Sequence, residues 1–541
     1  MDSITAVPAP VNEPIYGYAP GSPERAALDD QLAAYTAAGP VELTGFFESR
    51  RPGSGESLEV RMPSDRHQVL GRVNQTTRAD AKAAIDRACA AQRDWAALDF
   101  DSRAAVFLRL ADLLTGPYRA QMNAATMLGQ GKTIQQAEID AVGELADFLR
   151  FNVAYARQIH AVQPASASGA WNRTDYRPLE GFVYAITPFN FTSIAGNLPT
   201  APAIMGNVAV WKPAVSQMLA ASLFMDLLAA AGLPEGVITM VPGHGAAVSD
   251  VALADPRLAG IHFTGSTRVF QSLWGRVGQS IASYRSYPRI VGETGGKDFI
   301  VAHPSADPKA LIAAVVRGAF EYSGQKCSAA SRAYIPKSLW TQIADDLAEI
   351  TDSLPLGDVR DHKNFTSAVI DGRAYAKLTA AIEEAKASPI AEIVAGGTYS
   401  DADGWYIRPT IVKSADPNSA GFTTEYFGPL ITVYVYPDTE WDSVLDLVDS
   451  TSPYGLTGAV FATDRAAIAG ATARLRQAAG NFYVNDKPTG AVVNQQPFGG
   501  GRASGTNDKA GSLWNMMRWT SPRSLKEALT ATTAISYPHM V

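Results

Sequence analysis

The chain has 541 residues, 46% apolar and 18% charged, enough for a large core and for several domains. Its net charge of −7 is spread without a basic block, which argues against nucleic acid or an anionic membrane surface as a partner. Two cysteines, Cys89 and Cys327, form no disulfide framework and suit a reducing compartment, and no run of 18 apolar residues predicts a membrane-crossing helix.

The opening MDSITAVPAPVNEPIYGYAP holds two acids and no base. It reads as neither a secretory signal nor an Arg-rich transit peptide, but as a tail lying on the surface or on a partner. From about Leu28 to Tyr155 the chain reads mainly as helices, including 102–116 with its glycine stop and an amphipathic run over 135–160. From Gly181 strands and helices alternate. FVYAIT, NVAVWKPA, GVITMVPG, GIHFTGS and RIVGETGG read as strands, with helices between them. Such alternation predicts a buried parallel sheet with helices on both faces. A second α/β series starts at FIVAHP. Asp307 and Pro308 suit the start of a helix that ends near Gly324, just before Cys327. RAYIP, YIRPTIV, ITVYVYP, TGAVFAT and GNFYVND are its further strands. Two adjacent open sheets put ligand sites at strand C-terminal ends, in the cleft between domains.

Several loops at element ends carry reactive residues. In GQKCSA, Cys327 lies among small polar residues, where Lys326 and backbone N–H groups would favour thiolate. A buried, inert thiol is the competing reading, and for Cys89, on a helix face, the better one. Asn190 in TPFNFT could donate to an oxyanion or form an Asx turn. Glu293 in GETGGK could activate water or remain a solvated loop carboxylate. Gly265 and Ser266 open a helix that suits phosphate, and Lys212 could meet a ribose or phosphate, or be an ordinary surface lysine. No H-x-H, H-E-x-x-H or cysteine cluster suggests a metal, and no G-x-S-x-G suggests a serine hydrolase.

Taken in order, PFNF, WKPA, FTGS, GETGGK, GQKCSA, EYFGP and PFGG resemble the aldehyde dehydrogenase superfamily over about residues 45 to 530. The longer runs FEYSGQKCSA, YPRIVGETGGKDF, LTGAVF and GNFYVNDKPTGAVVNQQPFGGGRASGTNDKAGS are similar to one branch, the delta-1-pyrroline-5-carboxylate dehydrogenases. The resemblance implies NAD-dependent oxidation of L-glutamate γ-semialdehyde to L-glutamate in proline catabolism. Cys327 would be the nucleophile, Glu293 the deacylation base and Asn190 the oxyanion donor. Ile186, Lys212, Gly265, Ser266, Glu425 and Phe427 would contact the cofactor. Ser328, Gly490 and Ala491 would hold the substrate carboxylate, with Phe191 and Phe498 flanking its aliphatic middle. Backbone N–H groups and a hydroxyl can bind a carboxylate without a buried opposing charge.

Two residues depart from the family pattern. Val215 stands where many NAD-preferring relatives carry a glutamate, so NADP remains the weaker alternative cofactor. Phe270 replaces the glycine that ends FTGSTxxG. The resemblance further implies two Rossmann-like α/β domains plus a small β flap. The expected division is an N-terminal extension (1–44), an NAD-binding domain (45–163 and 181–292), a catalytic domain (293–490), and a flap and tail (164–180 and 505–541). It implies a homodimer or larger homo-oligomer, a free-standing cytoplasmic enzyme, and proline dehydrogenase as functional partner. Another semialdehyde dehydrogenase, a silent nucleotide-binding scaffold and a thioesterase-like hydrolase are the rival readings.

Overall fold

The computed structural model describes residues 5–47 and 50–540. Its first sheet is parallel through five strands, in the spatial order Arg289–Glu293, Leu258–Thr264, Phe182–Ile186, Val208–Lys212 and Ile238–Met240. These are the runs that read as strands. They are buried on both faces because helices cover the sheet. Gly45–Phe46 and Arg50–Arg51 extend one edge antiparallel.

The second sheet orders Ala391–Ala395, Thr410–Ser414, Leu430–Tyr436, Ala330–Pro336, Asp298–Ala302, Thr457–Phe461 and Asn481–Val484, with only Ala391–Ala395 antiparallel. Four residues, Thr294–Lys297, carry the chain from the edge of the first sheet into the middle of the second. That short link brings the strand ends of one sheet against the loops of the other.

Within the stretch from about Leu28 to Tyr155, expected to be mainly helical, one hairpin stands out. Ser57–Met62 and Asp65–Asn74 form an antiparallel hairpin, to which Val41–Leu43 adds in parallel. Val60 and Met62 are buried two apart with Arg61 outside, while Leu70, Gly71 and Val73 are buried across a pairing whose register is interrupted by bulges. The run 135–160 is helical as expected. Its segment Glu138–Glu144 is wound as a π-helix, continuous with Leu145–His160. The opening tail lies on the protein's own helices and leads into a helix, Pro23–Ala38, that Ser22 caps. Away from both sheets, Ala170–Arg177 pairs antiparallel with Ser521–Ala528 as an isolated two-stranded ribbon, largely open to solvent.

Candidate active site

Asp307 caps the helix Pro308–Phe320 by accepting from Ala310 N at 2.9 Å. The chain then kinks through Glu321–Gly324, where Tyr322, Ser323 and Gly324 take left-handed angles, φ 54°, 51° and 63°. Such angles cost a non-glycine residue about 1 kcal/mol or more. Fixed partners hold them here: Tyr322 Oη donates to Gln130 O at 2.9 Å, and Ser323 N donates to Thr366 Oγ1 at 2.8 Å. Cys327 follows, lining a small cavity with Gly296, Glu425 and Phe427. Burial, then the carboxylates of Asp298, Glu293 and Glu425, push its thiol well above the ordinary range. Lys326 does not offset them, because its ammonium turns to Glu321, 3.2 Å away.

Asn190 sits past the strand Phe182–Ile186, 3% exposed, and donates Nδ2 to Gln325 O at 3.0 Å. It thus ties the first sheet's loop to the thiol loop. Glu293 ends the strand Arg289–Glu293, and its carbonyl accepts from Gly265 N at 3.2 Å. Its carboxyl turns toward Gly499 and Gly500, with Oε2 buried and unpartnered. Burial lifts its proton affinity well above the usual carboxylate range, against the pull of Lys509 and the Gly500 N–H. No hydrogen bond joins Glu293 directly to Cys327 among the described residues.

Ile186 and Lys212 are register partners at the ends of neighbouring strands, and Gly265–Ser266 follow the next strand over. Among the described residues no carboxylate pairs with Lys212, and burial alone brings its ammonium down to about 8. Ser266 begins the helix Thr267–Gln279 without a capping bond, and the helix Gly245–Ala254 starts uncapped beside Lys212. Two open helix N-termini and an unpaired cation suit a dinucleotide pyrophosphate. Glu425 Oε1 accepts from Gly296 N at 3.0 Å, and Oε2 lies 2.4 Å from where a Cβ on Gly295 would stand. The GETGGK glycines thus let a carboxylate suited to a ribose diol approach the backbone. Phe427, at φ 59°, sets its ring edge-on to Phe189. These residues fit a bound dinucleotide. Val215 opens a short turn and packs on the core, so no acid stands there. Phe270 stacks on Phe263 and covers Gly292, where a Cβ would lie 2.2 Å from its ring.

On the far side of the thiol, Ser328 Oγ and Thr489 Oγ1 share a hydrogen bond of 2.8 Å, joining the thiol loop to Gly490–Ala491. Gly490 needs glycine, with φ 94°. Phe498 exchanges backbone hydrogen bonds with Ala510, at 3.0 and 2.8 Å. Phe191 lies under Lys132 Nζ, 4.1 Å from the ring centroid.

A thiol, an amide donor, a buried carboxyl and a dinucleotide-shaped sheet edge therefore meet at one seam. The description "Aldehyde dehydrogenase family" matches residues 50–525. The chain belongs to this family. It is 47% identical over 538 residues to the mitochondrial delta-1-pyrroline-5-carboxylate dehydrogenase of Dictyostelium discoideum, covering 99% of this chain and 96% of that one. To the human mitochondrial protein of the same name it is 45% identical over 538 residues, covering 98% and 94%. The Mycobacterium tuberculosis delta-pyrroline-5-carboxylate dehydrogenase structure bound with NAD matches with TM-score 0.97 at 58% identity, covering all of both chains.

This aldehyde dehydrogenase site also holds groups that the loop motifs did not reveal. Lys132 and Asp140, both 1% exposed, pair at 2.6 Å. Asp140 also accepts from Thr192 N and Ser193 N, both at 2.9 Å, so it caps the helix that follows Phe191. Glu144, one π-turn on, accepts from Ser193 Oγ at 2.9 Å, and burial lifts its carboxyl to about 8. Charged residues within an otherwise apolar helical run were their only sequence signal.

Proposed function

We propose that this chain oxidises L-glutamate γ-semialdehyde, formed by hydrolysis of 1-pyrroline-5-carboxylate, to L-glutamate with NAD, in proline breakdown. The observation that carries the reading is the placement of Cys327 between two tethers. Asn190 holds the loop on one side, and the Ser328–Thr489 bond ties it to Gly490–Ala491 on the other. A substrate whose carboxylate rests on Ser328 and the Gly490–Ala491 backbone presents its aldehyde to the sulfur at fixed reach. Phe191 and Phe498 flank its methylenes.

Cys327 gives its thiol proton to solvent, and the thiolate attacks the aldehyde carbon. The carbonyl oxygen becomes an oxyanion, which the Cys327 N–H and the second Nδ2 hydrogen of Asn190 stabilise. NAD, when bound, supplies the acceptor for the hydride that leaves this carbon. Ile186, Lys212, Gly265, Ser266, Glu425 and Phe427 hold it. Glu293, with Oε2 free of other partners, takes a proton from the water that attacks the thioester, and glutamate leaves as the thiol returns. Without an acid at 215 to repel a 2′-phosphate, NADP is the weaker second cofactor.

We assign residues 45–163 and 181–292 to cofactor binding and 293–490 to catalysis. In the same reading 164–180 and 505–541 form an oligomerisation flap and tail, and 1–44 an extension. A homodimer is supported by the open ribbon and by exposed Trp171, Trp274 and Trp514. A cytoplasmic location is supported by the two free cysteines, and proline dehydrogenase stands upstream in the same reading.

The test follows NADH absorbance with pyrroline-5-carboxylate, with NADP and succinate semialdehyde in parallel. Cys327→Ala is expected to abolish turnover and keep NAD binding. Retained turnover, or preference for succinate semialdehyde, overturns the reading.

A further inference from the structure

We propose that Asn12, on the N-terminal strap, is a positioning residue that sets the carboxylate anchor and so contributes to substrate selectivity. This rests on the reading of Gly490–Ala491 as that anchor.

The loop between Ala491 and Phe498 is closed on itself by a tight turn. Gln495 N and Gln496 N both donate to Val492 O, at 3.0 and 2.9 Å, and Val492 N donates to Gln496 Oε1 at 3.0 Å. Asn494 stands left-handed at φ 70°. The turn therefore moves as one piece, carrying residues assigned to substrate at both ends. Three points hold the turn itself, besides Asn481 Nδ2, which donates to Pro497 O at 3.1 Å just beyond it. Val493 is buried beneath it, and Tyr155 Oη donates to Asn494 Oδ1 at 2.8 Å. The third is Asn12, whose Nδ2 donates to Val493 O at 3.0 Å while its Oδ1 accepts from Gln495 Nε2 at 3.1 Å.

Asn12 is itself held. The same Nδ2 donates to Asp147 Oδ2 at 2.7 Å, and Glu13 N donates to Asp147 Oδ1 at 2.7 Å. Glu13 pairs with Arg119 at 2.7 Å and Arg150 at 2.6 Å. Pro14 O accepts from Arg119 Nη2 at 2.7 Å, and Tyr16 N donates to the buried Glu138 at 3.0 Å. Ile15 enters the space left by Gly143, where a Cβ would lie 2.4 Å from it. The strap thus grips Leu145–His160 and the π-helix before it, and Asn12 passes that fixed position to the anchor loop. Its amide has a hydrogen-bonding role for each face it touches, which an aliphatic residue lacks.

The experiment uses the full-length protein. For wild type, Asn12→Ala and Gln495→Ala, kcat and KM are measured with pyrroline-5-carboxylate and with propionaldehyde, which has no carboxylate, and L-glutamate binding is measured in the absence of turnover. Gln495→Ala breaks the contact from the loop side and leaves Asp147 untouched. The expected result is KM raised about tenfold and glutamate affinity lowered equally with both variants, equivalent to ~1.4 kcal/mol. The value of kcat stays within about twofold, and propionaldehyde kinetics are unchanged. Unchanged KM, or equal loss on both aldehydes, overturns the proposal. A wild type that does not favour the carboxylate-bearing aldehyde overturns the anchor reading itself, which separates the two failures.

Discussion

Asn190 has two amide hydrogens, and the resting protein uses one of them on Gln325 O. One N–H positions the thiol loop, and in the proposed mechanism the other is left for an oxyanion. Asn190→Ala removes both and is expected to lower kcat about 10²–10³-fold, roughly 3–4 kcal/mol, in steady-state NADH assays. Asn190→Asp is expected to be worse, because a carboxylate would face the developing negative charge. Glu144 makes a different prediction. Burial raises its carboxyl from 4.5 to about 8, so the folded chain binds more protons than the unfolded one across that window. Its contribution to stability is therefore lost as pH rises, with a slope of about 1.4 kcal/mol per pH unit for one proton. Asp298, raised to about 8 by burial, adds a slope of the same sign. Glu144→Gln keeps an acceptor for Ser193 Oγ and is expected to flatten the fall in unfolding midpoint between pH 5 and 7, measured without cofactor.

At the scale of elements, the helix after Phe191 starts on a borrowed cap. Asp140, on the π-helix, supplies the carboxylate that Thr192 N and Ser193 N need, and Lys132 neutralises it. Asp140→Ala leaves a buried ammonium unpaired and the helix uncapped, and is expected to cost about 3–5 kcal/mol, read as a lower thermal midpoint. The alternating strands and helices from Gly181 onward were legible because buried parallel strands are short apolar runs with glycine or proline at their ends. The start of the helix before Cys327 was legible from Asp307-Pro308, but it ends at Phe320, before the expected Gly324, and a left-handed kink carries the chain on to the thiol. The hairpin 57–74 was not legible. Its alternation sets charged and amide side chains against the buried Val60, Met62, Leu70 and Val73, and in SLEVRM and DRHQVLGRVN such a pattern is weak. The π-winding leaves no mark in composition, and Ser328–Thr489 joins residues 161 apart. Long-range polar contacts of this kind depend on the assembled topology, which local spacing does not contain.

For the whole molecule, polar contacts cross between the two sheets. Glu293 and Gly505 form a bridge, Gly296 donates to Glu425, and Asn190 donates to Gln325. The ribbon of 170–177 and 521–528 stands apart from this seam, and its outer edges need a partner. If the proposed homodimer forms through this ribbon, deleting residues 521–541 is expected to give a monomer by light scattering and to leave strand 170–177 unpaired and prone to aggregation.

A thiol that burial holds well above its ordinary ionisation range is also a poor target for oxidants and alkylating agents. Thiolate, not thiol, attacks peroxide and iodoacetamide, and burial above all disfavours negative charge on Cys327. The resting protein is therefore expected to inactivate slowly in dilute peroxide. The burial that delays ionisation of Cys327 also extends its chemical lifetime.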